Sequence, residues 1–306
     1  MKTKIIVAGS INMDLVTRAP IPRPGETVIG GDLHAFPGGK GANQAVAAAR
    51  MGGQVTMIGR VGEDAFGKQM RAALEEDGVD TAFVLPTAGT PTGVALIVVD
   101  EQGQNSIVVT PGANGRLTPA DIDAAAEAIA AADVLLLQLE IPLETVQRAT
   151  GLAAQHGLKV ILNPAPAAPL PQDLLSKVDI LIPNEIEAAA LSGLPSGSTA
   201  ELQAAAANLL EQGAGAVILT LGDRGALLVD GQSKTLLPAF AVKNVVDTTA
   251  AGDAFAGALA VAVSEGLTLP EAISWAAGAG ALAVTKAGAQ PSLPTRTEVQ
   301  RLLTTT

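Results

Sequence analysis

The chain has 306 residues, of which 48% are hydrophobic and 2% are aromatic, and its formal net charge is −11 at pH 7. Because it contains two histidines and no cysteine, it can form neither a disulfide nor a thiolate site, and a histidine-rich zinc site is not expected. The acidic balance and the few aromatic side chains disfavour nucleic-acid binding, and the lack of a long apolar run predicts no membrane span. The start of the chain has no signal-peptide pattern, which together with the missing cysteines favours a reducing cytoplasm.

The N-terminal part of the chain begins with a regular pattern that is soon interrupted. Residues 4–10 predict a buried strand that ends in a glycine turn. Residues 13–34 contain several prolines and glycines around two short stretches at 15–18 and 26–29, which predict exposed strands and turns. The regular elements that follow are a helix over 42–51, a strand over 55–59 and an amphipathic helix over 64–76 that ends before Gly78.

Residues 92–110 interrupt the alternation of strands and helices a second time. Two apolar stretches at 94–99 and 106–110 flank a polar segment at 100–105, and this pattern predicts a hairpin. We expect the hairpin to join the strands of residues 13–34 in a separate small sheet.

From Thr118 onward, helices alternate with apolar strands that are rich in β-branched residues. The predicted elements are strands at 134–139, 159–162, 180–182 and 217–221, a hairpin over 225–237, and two helices over about 252–265 and 270–284. Apolar runs of this continuous kind are typical of a parallel sheet that helices cover on both faces. The sequence therefore predicts an α/β fold.

A near match to the P-loop pattern at residues 62–69 is a false lead. Gln69 stands where a P-loop needs Ser or Thr for magnesium, and Glu63 and Asp64 would direct negative charge at a phosphate. We interpret Asp64 as the N-cap of the helix that follows it. No intact G-x-G-x-x-G sequence follows a predicted strand, which argues against a nicotinamide-dependent dehydrogenase.

Two glycine-containing segments precede predicted helices. In the first, residues 38–43, the backbone can approach a ligand closely, and Lys40 and Asn43 add donors suited to hydroxyl groups. In the second, residues 247–255, small residues precede a long helix, so that successive backbone amides can converge on an anion, and Asp253 lies in the first turn of that helix. The structural alternatives are a solvated loop in the first segment and a helix-capping carboxylate in the second.

Polar residues also follow the apolar strands of the predicted sheet. They are Asn12 and Asp14 after the first strand, Glu140 after the strand at 134–139, Asn184, Glu185 and Glu187 after the strand at 180–182, and Thr220, Gly222, Asp223 and Gly225 after the strand at 217–221. Each could be a simple cap or turn residue. Because ligands of open α/β sheets bind beyond the carboxyl ends of the strands, the recurrence favours one extended cleft.

Together these segments resemble the PfkB family of ribokinase-like sugar kinases, and the resemblance extends from Gly9 to Ser292. Residues 37–45 resemble the first signature of the family, and residues 247–255 resemble the second. Matches at 139–140, 163–166 and 183–185 lie between the two at the expected points.

The resemblance implies a Rossmann-like, three-layer α/β fold with a mainly parallel central sheet, in a single domain over residues 1–306 with a small β-sheet lid from 13–34 and 92–110. It implies ATP-dependent phosphorylation of D-ribose at its 5-hydroxyl. Asp253 would be the general base, and Ala250, Ala251 and Gly252 would form the anion hole. The implied sugar-binding residues are Asn12, Asp14, Gly39, Lys40, Asn43, Glu140 and Asp253.

The resemblance also implies the nucleotide, its metal ions and a partner. The implied contacts to ATP and its Mg²⁺ are Asn184, Glu187, Thr220, Gly222, Asp223, Gly225 and Gly252, with Ala277 beside the adenine. The implied K⁺ ligands are Asp247, Thr249, Ala283, Lys286, Gly288 and Ser292, with backbone carbonyls contributing at Ala283 and Lys286. A homodimer joined through the lid sheets is implied, and no nucleic-acid or membrane partner is expected.

Three alternatives remain at this point. The first is a kinase of the same family for another substrate, such as deoxyribose, fructose or a nucleoside, although the scarcity of aromatic residues disfavours a stacked nucleobase. The second is a sugar-binding sensor without activity, which is disfavoured because both the acid at 253 and the small residues before it are present. The third is the dehydrogenase that lacks its glycine fingerprint. One departure from the family is Ala277, where many relatives carry His or Asn.

Overall fold

The computed structural model describes residues 3–102 and 104–305, so Gly103 of the predicted hairpin turn lies outside the described residues. Within them, thirteen strands form two separate sheets. The strands are β1 (Lys4–Ala8), β2 (Asn12–Arg18), β3 (Leu33–Gly38), β4 (Gln54–Gly62), β5 (Asp80–Thr87), β6 (Gly93–Val99), β7 (Asn105–Thr110), β8 (Val134–Leu137), β9 (Lys159–Leu162), β10 (Ile180–Leu181), β11 (Ala216–Thr220), β12 (Ala226–Asp230) and β13 (Lys234–Leu237).

Among the described residues, α-helices lie in six of the twelve connections between these strands, and three more follow the last strand. They are α1 (Lys40–Arg50), α2 (Ala65–Glu76), α3 (Pro119–Ala124), α4 (Ala126–Ala130), α5 (Leu143–Gln155), α6 (Gln172–Leu175), α7 (Glu185–Ser192), α8 (Thr199–Glu211), α9 (Ala251–Ser264), α10 (Leu269–Ala283) and α11 (Arg296–Thr305). Asp64 caps α2 as predicted, since its Oδ1 accepts a hydrogen bond from the Gly67 amide at 2.8 Å. No helix in the described ranges is long and apolar enough to cross a membrane.

The large sheet of the described residues has nine strands in the order β13-β12-β11-β10-β9-β8-β1-β4-β5. All neighbouring pairs from β11 to β5 are parallel, whereas β12 and β13 continue the sheet as an antiparallel hairpin. The prediction of a mainly parallel sheet is confirmed. Strand β5 was not predicted from the sequence, and its Pro86 is tolerated because this strand lies at the edge of the sheet.

Successive side chains of β1 enter two different cores, one on each face of the large sheet. Ile5 and Val7 pack in the core that includes α1, α9 and α10, and Ile6 and Ala8 pack in the core that includes α3, α5 and α8. The strand is apolar on both faces because helices cover both. The three-layer α/β architecture is therefore confirmed.

A separate small sheet has the strand order β3-β2-β6-β7. As predicted, the hairpin of β6 and β7 joins the segment around residues 13–34 through parallel pairing of β2 with β6. The predicted strand at 26–29 is wrong. Ile29 is 95% exposed. The chain comes back to β2 at Gly31, whose N–H group donates to the Arg18 carbonyl at 2.8 Å, and regular pairing with β2 begins at Leu33.

Candidate active site

The polar residues predicted to share a cleft do meet at one edge of the large sheet. Asn12 begins β2 just beyond β1, Glu140 follows β8, Asn184 follows β10, and Thr220 ends β11. Parallel strands present their carboxyl ends to the same edge, which explains the convergence. The small sheet and the N-termini of α1 and α9 also reach this edge, because β2 continues from β1 and β3 leads directly into α1.

The glycine-rich turn before α1 is pressed against the end of β1. Gly39 has a φ of 86°, and a Cβ atom there would lie 2.6 Å from the Asn12 amide nitrogen. A Cβ atom at Gly41 would lie 2.6 Å from the Gly9 carbonyl carbon. Since real Cβ atoms do not approach backbone this closely, the glycines let α1 begin at Lys40, two residues before the predicted start, and bring Lys40 and Asn43 into the cleft.

Neighbouring side chains hold the predicted sugar-binding residues in place. Asn114 donates from its Nδ2 to Asn12 Oδ1 at 2.7 Å, and it also contacts the backbone of Ile11. Ser10 Oγ donates to Glu140 Oε2 at 2.5 Å, and that oxygen also accepts from the Lys40 amide at 3.2 Å. The sequence analysis missed both supports. Ser10 was visible as the polar end of the first strand, whereas nothing local marks Asn114, 102 residues from its partner.

Four carboxylates act electrostatically on Lys40, and the pKa values of Lys40, Asp14 and Glu187 are shifted in this cluster. Burial, reinforced by Glu140 and Asp253, raises the pKa of Asp14 to about 7, against a lowering effect of Lys40. Burial works to lower the pKa of Lys40, but the carboxylates of Asp253, Glu140, Glu187 and Asp14 raise it above its ordinary value. Burial is also the main cause that raises the pKa of Glu187. Lys40 therefore stays charged near neutral pH, while Asp14 changes its charge there.

Asp253 is buried in the first turn of α9, and both of its oxygens accept hydrogen bonds from amide side chains of α1. Asn43 Nδ2 donates to Oδ2 at 2.9 Å, and Gln44 Nε2 donates to Oδ1 at 3.0 Å. The two helices can approach this closely because Gly257, one turn after Asp253, packs on α1, where a Cβ atom would lie 2.7 Å from the Gln44 carbonyl oxygen. The structure thus brings together the two predicted residues Asn43 and Asp253 and adds Gln44.

The backbone before α9 has the geometry of an anion-binding turn. Among the described residues, Ala250 is the only non-glycine residue with a positive φ, 60°, and it immediately precedes the first helical residue, Ala251. A left-handed residue followed by helical ones makes successive N–H groups converge, and the first N–H groups of a helix have no partner within it. A Cβ atom at Gly252 would meet no described atom within 4 Å, so the space beyond these amides is open.

The residues predicted to meet the nucleotide lie after β10, at and after the end of β11, and on α10. Asn184 caps α7 through its Oδ1, which accepts from the Glu187 amide at 2.8 Å, and Glu187 Oε2 accepts from the Asn184 amide at 2.9 Å. Thr220 N donates to the Pro183 carbonyl at 3.0 Å, which joins the two strand ends. Gly222, Asp223 and Gly225 form the tight turn after β11, and Ala277 lies half-buried on α10. The cap interpretation of Asn184 is therefore correct as far as the fold is concerned, and a contact with nucleotide remains a prediction.

The six residues predicted to bind a monovalent cation come from two segments that are joined by hydrogen bonds. Asp247 accepts from the Thr249 amide at its Oδ1 and from the Gly288 amide at its Oδ2, both at 2.9 Å. Burial opposes ionisation of Asp247, but these hydrogen bonds hold its pKa below the ordinary value. The Lys286 ammonium pairs with Glu298 at 3.0 Å instead of with Asp247, and Ala283 and Ser292 are buried beside this loop. Carboxylate and carbonyl oxygens are the hard ligands that such cations prefer, so the residues fit the ion.

Fold and sequence comparisons agree on the class of protein. The model of the pfkB family carbohydrate kinases matches residues 2–296, and the chain belongs to this family. It is 44% identical over 300 residues to the ribokinase of Bacillus subtilis, covering 98% of this chain and 99% of the relative. It is also 40% identical over 292 residues to the deoxyribokinase of Salmonella typhi, covering 95% of each. The structure of Arabidopsis thaliana ribokinase complexed with ribose and ATP superimposes with a TM-score of 0.92 at 36% identity, covering 99% of both chains.

Proposed function

We propose that the protein transfers a phosphoryl group from ATP to the 5-hydroxyl of D-ribose. The observation that carries the proposal is the position of Asp253, a buried carboxylate beside an open turn of converging backbone amides, in a cleft lined by groups that bind hydroxyls. Full-length identity to a ribokinase and the likeness to a ribokinase complexed with ribose and ATP support the same substrates.

The side chains at the small-sheet end of the cleft would bind the sugar. Asn12, Asp14 and Glu140 offer oxygen acceptors, and Lys40 offers a charged donor, all at fixed positions. Asn43 Oδ1 is buried and has no hydrogen-bond partner among the described residues, so it is an acceptor that a sugar hydroxyl could satisfy. The sugar would also contact the backbone at Gly39, which has no side chain to keep it away.

Asp253 would accept the proton of the 5-hydroxyl as the oxygen attacks phosphorus. Phosphoryl transfer depends on alignment and on neutralising the charge of the transferred group more than on covalent help. The amides of Ala250, Ala251 and Gly252 would stabilise that charge without having to reorganise, because the turn already aligns them. A bulkier side chain at Gly252 would fill the space that the phosphoryl group needs.

The nucleotide and the two cations would occupy the rest of the cleft. Thr220, Gly222, Asp223 and Gly225, with Ala277 beside the base, would contact ATP, and Asn184 and Glu187 would hold its Mg²⁺. Mg²⁺ would supply positive charge to the phosphates. The ligands proposed for K⁺ are Asp247, Thr249, Ala283, Lys286, Gly288 and Ser292. K⁺ would raise the positive potential at the anion-binding turn, which begins three residues along the chain from Asp247.

We further propose that the small sheet acts as a lid over the sugar and as the interface of a homodimer. Its outer strand β7 is exposed along its whole length, and apolar side chains on both faces of the sheet lie open to solvent, among them Leu33, Leu96, Ile107 and Val108. Exposed apolar patches of this kind mark interaction surfaces. We also propose a cytoplasmic location, where ATP is available as the phosphoryl donor.

A coupled assay of ADP formation tests the function. With ATP, Mg²⁺ and K⁺, we expect D-ribose to give the highest kcat/KM in a panel that also contains 2-deoxyribose, fructose and adenosine. We expect Asp253→Asn to lower kcat by about 10²- to 10⁴-fold, the contribution of a general base, while ribose still binds. Undiminished turnover in that variant would exclude Asp253 as the base.

The second candidate is phosphorylation of 2-deoxyribose, which the identity to a deoxyribokinase favours. The two sugars differ only at the 2-hydroxyl, so the same panel separates them. A higher kcat/KM with 2-deoxyribose than with ribose would select this candidate and would leave the proposed role of Asp253 unchanged.

A further inference from the structure

Beneath Asp253 lies a buried chain of amide side chains that the proposed reaction does not itself use. Gln44 and Gln138 are both 0% exposed, and Asn163 is partly buried. Gln44 is on α1, Gln138 directly follows β8, and Asn163 directly follows β9. The chain therefore connects the N-terminus of α9 to the carboxyl ends of two adjacent strands.

Each amide in this chain is fixed in one orientation by its neighbour. Gln44 Nε2 donates to Asp253 Oδ1 and to Asn163 Oδ1, both at 3.0 Å. Gln138 Nε2 donates to Gln44 Oε1 at 2.6 Å, and Asn163 Nδ2 donates to the Ile182 carbonyl at 3.0 Å. A primary amide has two donor hydrogens, and Gln44 Nε2 uses one for each of its two acceptors. If the Gln44 amide rotated by half a turn, its oxygen would face the Asp253 carboxylate and the Asn163 oxygen.

The space for this arrangement is built into the fold. Gln138 Oε1 is buried without a partner among the described residues, and a Cβ atom at Gly9 would lie 2.0 Å from it. Leaving a buried oxygen without a hydrogen-bond partner has a free-energy cost, and this arrangement keeps the Gln138 donor on Gln44. A role in stability alone would not account for that cost.

We infer that Gln44, held by Gln138, is a positioning residue that orients the Asp253 carboxylate toward the substrate hydroxyl. The inference rests on the proposed role of Asp253. Asn43 holds one carboxylate oxygen and Gln44 holds the other, so the two amides together fix the plane of the carboxylate. A general base must lie within hydrogen-bond reach of the proton it accepts, and small misplacements of a reacting group lower rates strongly.

The first test separates catalysis from binding. Gln44→Met has a similar volume but donates no hydrogen bond, and we expect kcat to fall about 10- to 100-fold while the ribose Kd changes by less than about threefold. Gln138→Met leaves the contact with Asp253 in place but releases the Gln44 amide, so we expect a smaller fall in kcat in the same direction. The matched control is Thr150→Val on α5. The Thr150 hydroxyl is also buried without a hydrogen-bond partner among the described residues, but it lies outside the chain of amides, so we expect the kcat of this variant to equal that of the wild type.

The second test gives a signature that a structural role would not produce. Gln44→Glu would place a carboxyl group about 3 Å from Asp253, and one of two carboxyl groups at that separation keeps its proton to a higher pH than an isolated carboxyl group does. We expect the acid limb of log kcat to move upward by at least about one pH unit, with activity recovering at higher pH. Lys40, Asp14 and Glu187 also interact electrostatically with Asp253, and these three residues are the same in the wild type and the variant.

Folding is checked for every variant by thermal unfolding, with the fluorescence of Trp275, the single tryptophan of the chain, as the probe. A folded Gln44→Met with kcat within about threefold of wild type would overturn the inference, and so would a fall in kcat matched by an equal rise in ribose Kd. If Gln44→Met does not fold, the pH profile of Gln44→Glu decides, and an unmoved acid limb overturns the inference. An inactive wild type would instead refute the proposed function. An active wild type, with an Asp253→Asn variant that has lost activity and a Gln44→Met variant of normal activity, would refute the positioning role alone.

Discussion

Lowering the pH from about 8 to about 6 should weaken ribose binding about tenfold, because Asp14 takes up a proton in that range. Burial and the neighbouring carboxylates of Glu140 and Asp253 raise the pKa of Asp14 to about 7. The proposed sugar site uses Asp14 as an acceptor, and a carboxylate accepts hydrogen bonds from hydroxyls better than a protonated carboxyl does.

The size of the effect follows from the ionised fraction. With a pKa of about 7, roughly nine tenths of Asp14 is ionised at pH 8 and roughly one tenth at pH 6. The apparent Kd is the intrinsic Kd divided by the competent fraction, which gives a ratio of about ten between the two conditions. At pH 7, where Asp14 is half-ionised, each ribose that binds should release about half a proton.

The free energy of unfolding changes with pH in the direction opposite to ribose affinity. The pKa of Asp14 is higher in the folded chain than its ordinary value of 3.8, so its contribution to stability is fully present below about pH 4 and is lost as the pH rises through about 7. Without ribose, the free energy of unfolding should therefore decrease between pH 6 and pH 8 by about 1.4 kcal/mol more in the wild type than in Asp14→Asn.

Isothermal titration calorimetry with ribose alone, at several pH values and in buffers of different ionisation enthalpy, measures both the Kd and the released protons. Asp14→Asn should bind more weakly and without this pH dependence. Glu187→Gln is the matched control, because burial also raises the pKa of Glu187 but the proposed site places it beside the nucleotide, so the variant should keep the tenfold change. A ribose Kd that is constant from pH 6 to pH 8, or an equal pH dependence in Asp14→Asn, would refute the reasoning.

Two further predictions concern the cation and the lid. Replacing Na⁺ by K⁺ at constant ionic strength should raise kcat/KM about tenfold, which is a modest value for an electrostatic contact near the transferred group. Asp247→Asn should abolish this difference between the two salts. Equal rates of the wild type in the two salts would contradict the cation site. Analytical ultracentrifugation should find that the wild type is a dimer at micromolar concentration and that the double variant Ile107→Glu, Val108→Glu is a monomer. The control variant is Leu194→Glu, which changes an exposed apolar residue outside the small sheet and should remain dimeric. A monomeric wild type would exclude the proposed interface.

Much of the fold could be predicted because its signals are local. The continuous apolar runs at β8, β9 and β11 indicated a sheet covered on both faces, and the alternation with helices indicated that it is parallel. The predictions failed where a strand depends on its partner. Residues 26–29 look like a strand but pair with no strand of the described part of the chain, while β5 contains a proline and is held by β4 at the edge of the sheet.

The same division applies to the candidate site. Gly39, Lys40, Asn43 and Asp253 stand in glycine-containing segments that are recognisable in the chain itself, because the backbone geometry they require is coded within a few residues. The sequence by itself also determined the chemistry available, since with no cysteine and two histidines the work falls to carboxylates, amides and bound cations.

Only the tertiary structure decided which of these groups touch one another and how they titrate. Asn12 meets Asn114 across 102 residues, and Asp253 meets Gln44 across 209, through the packing of elements rather than through any spacing in the chain. The pKa of Asp14 is likewise set by burial, by the carboxylates of Glu140 and Asp253 from two other segments, and by the ammonium of Lys40. Contacts of this kind depend on the relative positions of whole strands and helices, which a local pattern of residues does not contain.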